Sequence, residues 1–168
     1  MLGKVLRVDA RVPPVILSSP AERAKRTAEL VAAEAKFKGG LTLVDSFYMG
    51  EPENYIKELK QLPDEIERVM IVGHNPGLEA LLQLMDGKVN SLPTGSLAYL
   101  VLDIKHWADL TKGTVGELIS FWEADEIDLN EMEEKMGKDK DKKEKKDKKE
   151  KKDKKDKKDK KDKKKDKK

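Results

Sequence analysis

Short apolar runs alternate with longer stretches whose apolar residues recur at helical spacing, from Val15 to Met85. Val15-Ile16-Leu17 is a compact apolar run preceded by Pro13-Pro14, the pattern of a buried strand entered from an extended linker. A helix start follows: Ser19 is suited to the N-cap, Pro20 to the first helical position, and Glu22 completes a capping box with Ser19. The helix is predicted through Ala24, Ala28 and Val31 to Ala35, ended by Gly39-Gly40. Leu41 to Val44 reads as a second strand, Pro52 to Gln61 as a helix, Pro63-Asp64 as a break, and Arg68 to Val72 as a third strand. Asn75 is placed to cap the next helix with Pro76 at its first position, and Leu78, Leu81, Leu82 and Met85 supply its apolar stripe.

Strand and helix thus alternate, which predicts an α/β layer structure with a mainly parallel sheet. The alternation stops after Leu92-Pro93-Thr94-Gly95. Leu97 to Ile104 and Glu117 to Trp122 read as two further strands around a loop holding Trp107, with Trp107, Phe121 and Trp122 as packing aromatics. Asp125 to Met136 has the pattern of a short acidic helix.

Charge divides the chain more sharply than its formal net of +3 suggests. Residues 138–168 hold 21 Lys and 10 Asp or Glu and no apolar residue. Such a polyampholyte has too little apolar surface to offset its ordering entropy and is expected to be disordered. The division expected is a domain over 1–124, an acidic linker or short helix over 125–137, and the tail over 138–168. The absence of Cys excludes disulfides, thiolate nucleophiles and Cys-ligated zinc, and fits a reducing compartment. No apolar run approaches the roughly 20 residues that span a bilayer, and the N-terminus lacks an apolar signal core. A soluble cytoplasmic protein is expected.

Two junctions carry the candidate chemistry. Val15 to Arg23 and Val69 to Pro76 each run from a strand through polar residues and Pro into a helix, delivering Arg23 and His74 at the strand ends. α/β sheets bind ligands beyond the carboxyl ends of their strands, where helix N-termini present unpaired N–H groups. Arg23 offers a planar, permanently charged fork for two phosphate oxygens, and His74 offers a donor that also moves protons near neutral pH. Two similar junctions on one sheet edge point to an anionic ligand. Arg26 shares a helix face with Arg23, although a solvated side chain, paired with Glu22, Glu29 or nothing, accounts for it better. Thr94 stands where it can donate a hydrogen bond at the pocket mouth or serve a turn. Glu51, on a loop before Pro52, is a possible general acid. Two distant histidines without a carboxylate cluster do not make ligand spacing, so no metal and no cofactor are expected.

Ser18-Ser19-Pro20-Ala21-Glu22-Arg23-Ala24-Lys25-Arg26-Thr27-Ala28-Glu29, then Val72-Gly73-His74-Asn75-Pro76-Gly77-Leu78, then Leu92-Pro93-Thr94-Gly95, resemble in order and spacing the phosphohistidine phosphatase SixA group of the histidine phosphatase superfamily. The resemblance spans roughly Met1 to Glu123. It implies a three-layer fold with a mainly parallel central sheet, and hydrolysis of a phosphoramidate such as phosphohistidine on a protein, or of a small phosphorylated substrate. In that family a His in an Arg-His motif on the first strand attacks phosphorus, while a second Arg and a second His stabilise the equatorial oxygens. On matching motifs the second pair is Arg23 and His74.

The resemblance also implies a departure. Met1 to Leu6 is similar to the end of the family's first helix, and no segment of the chain is similar to its Arg-His strand. His106, the other histidine, lies outside any family motif, and Ala124 to Lys168 contains neither Arg nor His, so a permuted strand is not expected there. The expectation is a domain with its first strand missing, destabilised or prone to association unless a partner or an upstream extension completes it. Two readings follow: a phosphatase once a nucleophile strand is supplied, or an inactive phosphate-binding or interaction module. For the tail, unspecific polyanion binding, steeply dependent on salt, stands beside a plain solubilising role.

Overall fold

The computed structural model describes residues 1–88 and 91–128 together with Asn130 and Glu134, and Met1–Ile127 forms one compact unit. Half of the helix predicted over Asp125 to Met136, and the whole tail 138–168, lie outside the described residues, and the described stretch 125–128 is turn and irregular chain, not helix.

Among the described residues the α-helices and β-strands run in the order α1 (Leu2–Val8), β1 (Val15–Ser18), α2 (Glu22–Ala35), β2 (Gly40–Leu43), α3 (Pro52–Leu59), β3 (Val69–Val72), α4 (Gly77–Asp86), β4 (Ser96–Leu102) and β5 (Gly116–Glu123). β2, β1 and β3 form a parallel sheet in that order, with Ile16 opposite Leu41 on one side and Met70 on the other. β4 and β5 form a separate antiparallel pair with an irregularity between Tyr99 and Leu100. Successive strand residues face opposite sides, and this alternation sorts the core. Leu17 joins Tyr55, Ile56, Leu59, Leu81 and Met85 of α3 and α4 on one face, with Val69 and Ile71 packed against them. Ile16 and Val72 join Ala24 and Ala28 of α2 on the other. The parallel sheet therefore lies between two helical layers, a mixed α/β architecture of the kind the periodicity predicts. α1 packs against α2 at Gly3, where any Cβ would collide with the α2 backbone.

Three predicted helix signals are corrected. Ser19 does not cap α2; its N–H donates to the Val72 carbonyl at 2.8 Å, so it continues the extended path of β1. The helix then starts two residues later with Ala21 at the N-cap and no side-chain cap, which removes the predicted capping box with Glu22. At the other end Lys36, in the left-handed conformation at φ 54°, terminates α2 ahead of Gly39-Gly40, and Gly40 opens β2. Asn75 likewise does not cap α4, whose N-cap is Pro76; its side chain instead donates to the Leu92 carbonyl at 2.6 Å. In both cases a tertiary hydrogen bond outside the helix has taken the capping residue.

Candidate functional site

β1 and β3 are parallel neighbours, so their carboxyl ends, and the turns that leave them, lie side by side. From the first comes buried Ser19 and then Arg23 in the opening turn of α2; from the second comes Gly73 and then half-buried His74. The Ser19 hydroxyl stands 2.8 Å from His74 Nε2. It also accepts the Ala21 N–H at 3.3 Å, so its own hydrogen is available to donate to His74. Where the serine donates, a neutral His74 carries its hydrogen on Nδ1, which is left as the ring's donor.

The β3–α4 turn is held closely from below. A Cβ at Gly73 would stand 2.6 Å from the Tyr55 hydroxyl, and one at Gly77 would overlap the Gly50 carbonyl oxygen. Tyr55 is wholly buried, and its hydroxyl approaches the His74 backbone without a well-formed hydrogen bond. Burial raises its pKa, so it stays a neutral phenol. From the side, exposed Tyr48 meets the His74 ring edge-on, with centroids 6.0 Å apart and planes at 83°. Asn75 holds Leu92, whose N–H donates to the Glu79 carboxylate at 2.8 Å, and this fixes the segment leading to Thr94.

Arg23, Thr27, His74, Asn75 and Thr94 line one cavity of about 890 Å³. Burial, and secondarily the positive charge of Arg23, lower the His74 pKa. The imidazole is therefore held neutral at a pH where a free one would begin to charge, until an anion enters between the two groups. The site offers a fixed cation, a ring whose protonation an anion favours, and a hydroxyl that orients the ring: equipment for a tetrahedral oxyanion.

Other candidate residues lie away from Arg23 and His74, although His106 and Asp64 line the same cavity. Arg26 pairs with Glu29 at 3.5 Å on the exposed side of α2 and does not line this cavity. Glu51 is the N-cap of α3; its carboxylate accepts the Asn54 backbone N–H, and the Asn54 side chain accepts the Glu51 N–H at 2.9 Å. His106 Nδ1 stands 2.8 Å from Asp64, and the Trp107 indole donates to the Ile66 carbonyl. These contacts precede the start of β3, whereas His74 follows its end, so the two histidines belong to opposite ends of the strand. Among the described residues no three His, Cys, Asp or Glu side chains cluster as metal ligands. No helix of the described residues is long and apolar enough to cross a membrane. Sequence reasoning missed Ser19, Tyr48 and Tyr55 as site residues; the serine's proximity to a histidine at the matching junction was the only available signal.

No protein-family model matches the chain. An uncharacterized protein of Mycobacterium leprae is 29% identical over 87 residues, 52% of this chain and 52% of the relative, so the match spans about half the length of that curated protein. Among solved structures, the fold is similar to a protein assigned as phosphohistidine phosphatase SixA from Nakamurella multipartitia (21% identity, TM-score 0.61, 71% of this chain and 76% of that one). It is similar to one so assigned from Agrobacterium tumefaciens (26% identity, TM-score 0.60, 72% and 74%). It is also similar to the protein histidine phosphatase SixA complexed with tungstate (19% identity, TM-score 0.59, 73% and 76%).

Proposed function

We propose that this chain, which has the SixA-like fold of the histidine phosphatase superfamily, binds the phosphoryl group of a phosphorylated protein or small molecule between Arg23 and His74, and serves phosphohistidine hydrolysis. The observation that carries the reading is the convergence of Arg23, His74 and the Ser19 hydroxyl at the carboxyl ends of two adjacent parallel strands. Arg23 grips two oxygens, and the His74 ring donates to a third as negative charge builds on them, a preorganised stabilisation of the transferring group.

Hydrolysis in this scheme needs a nucleophile. An imidazole nitrogen forms a bond to phosphorus as the phosphorus bond to the leaving imidazole breaks; an acid supplies that imidazole with a proton; water then releases phosphate from the enzyme's own ring. His74 is assigned to the oxygens and His106 stands with Asp64, so the nucleophile must come from another polypeptide segment. Glu51 is the proposed acid, on condition that its carboxylate leaves the α3 cap. No cofactor is invoked, and a cytoplasmic setting suits the absence of Cys.

The test is a phosphohistidine peptide offered to the chain, to Arg23→Ala and to His74→Ala, with binding and phosphate release followed together. Binding that both variants lose, without release, is the expected result. Release that both variants lose would show the site complete as it stands. Binding indifferent to both would end the proposal.

A second reading rests on the same pocket without turnover: a phosphate-binding module whose Lys-rich segment attaches it unspecifically to polyanions. The 21 Lys against 10 acids in residues 138–168 favour it. Full-length protein should then be retained on a nucleic-acid column at low salt and released by moderate salt, while a version ending at Gly137 should pass through.

A further inference from the structure

The cavity that holds Arg23 and His74 at one end is far longer than an oxyanion requires. One wall is β3 from Val69 to Val72 and the other is β4 from Ser96 to Leu102. Among the described residues both are edge strands: β3 pairs only with β1, and β4 only with β5. Val72 accepts the Ser19 N–H, so its backbone groups turn toward β1; by the alternation of a parallel ladder, those of Val69 and Ile71 turn into the cavity. The remaining two walls are apolar, with Leu59, Leu81 and Met85 of α3 and α4 on one side and Leu2, Leu6 and Val31 of α1 and α2 on the other. β3 and β4 already share both cores: Leu100 and Leu102 pack in the cluster that Val69 and Ile71 join, and Leu97 in the one that Met70 joins.

We propose that this slot is a strand-binding site that accepts one extended peptide segment of about five residues, roughly 17 Å long, apolar on both faces. Such a segment would continue the β2–β1–β3 ladder and join it to β4–β5. The walls define the occupant. Two facing rows of backbone donors and acceptors call for a backbone with both edges free, and helical layers above and below call for apolar side chains on alternate faces. A volume of about 890 Å³, closed on four sides, excludes an occupant that brings its own covering helices, which a second copy of this chain would do. The inference goes beyond the phosphoryl reading and does not depend on it.

The probe is a capped Lys-Val-Val-Leu-Val-Val-Lys peptide, compared with the same peptide N-methylated at every second residue, which keeps the side chains but blocks one backbone edge. Amide exchange of the chain is the readout. Saturating peptide should slow exchange at Val69 and Ile71 by about tenfold or more, as new backbone hydrogen bonds require, and hardly change Met70 and Val72, which already face β1. The methylated peptide should do neither. No saturable protection, or equal effects of the two peptides, would overturn the inference. Protection of Val69 and Ile71 without peptide, rising with protein concentration alongside a dimer in sedimentation, would assign the slot to a second copy and also overturn it. Phosphate release is not read, so failure here leaves the Arg23–His74 reading standing, and failure of that reading leaves the slot.

Discussion

Ser19 Oγ and His74 Nε2, 55 residues apart in sequence, meet at 2.8 Å across two parallel strand ends. The serine is wholly buried, and its oxygen also receives the Ala21 N–H, so the contact orients the ring and ties the α2 entry to the α4 entry. Ser19→Ala should therefore lower stability by about 1 kcal/mol, the net worth of one such hydrogen bond, and weaken anion binding more than stability alone accounts for. Thermal denaturation and phosphate titration check the two effects, and an imidazole nitrogen spectrum reads the His74 tautomer. A variant whose His74 tautomer is unchanged would remove Ser19 from the site.

The two histidines should titrate on opposite sides of a free imidazole. Burial and Arg23 lower His74, whereas the hydrogen bond and charge of Asp64 raise exposed His106. For His74 the unfolded chain binds the proton more readily, so its contribution falls as pH drops below about 6.5. For His106 the contribution is present below about 6.5 and is lost as pH rises through its raised folded value. An imidazole titration by NMR should place His74 below His106, and saturating phosphate should move only His74 upward. The reverse order would contradict the described geometry.

Gly77→Ala should be costly although Gly77 touches no ligand. The added Cβ would overlap the Gly50 carbonyl, a backbone atom that can yield only by moving the loop that carries Tyr48. A loss of about 1–3 kcal/mol is expected, typical of overpacking, together with loss of the Tyr48–His74 edge contact. Chemical denaturation gives the first. Gly87→Ala is the comparison for strain alone: open space surrounds that Cβ, but Gly87 has φ 69°.

The slot left open between the edges of β3 and β4 should make the compact unit melt without sharp cooperativity. Circular dichroism with sedimentation on the purified chain tests this; a concentration-independent, cooperative monomeric melt would contradict it.

Much of the fold was legible because helical and strand periodicities seldom compete over Val15 to Met85. Predicted and observed strands agree closely at β1 and β3, where β-branched runs are bounded by polar turns. The caps were less legible, since Ser19 and Asn75 have the chemistry of caps wherever they stand. Only the third dimension reveals that His74 and Leu92 claim them first. Arg23 and His74 could be read as a pair from parallel motifs. Tyr48 and Tyr55, brought in by α3 and its preceding loop, could not, because nothing local marks an aromatic as facing a histidine. Open strand edges were expected from the family resemblance, but which two strands bound the slot was not legible, as a vacancy has no periodicity of its own.

The central claim is that Arg23 and His74 act together on one phosphoryl group. Calorimetric titration of the chain with tungstate, a tetrahedral oxyanion that is not turned over, tests it most directly. One saturable site, weakened by about tenfold or more in Arg23→Ala and again in His74→Ala, is the predicted result, because each substitution removes a charge-assisted hydrogen bond. Binding of equal strength in the chain and both variants would contradict the account.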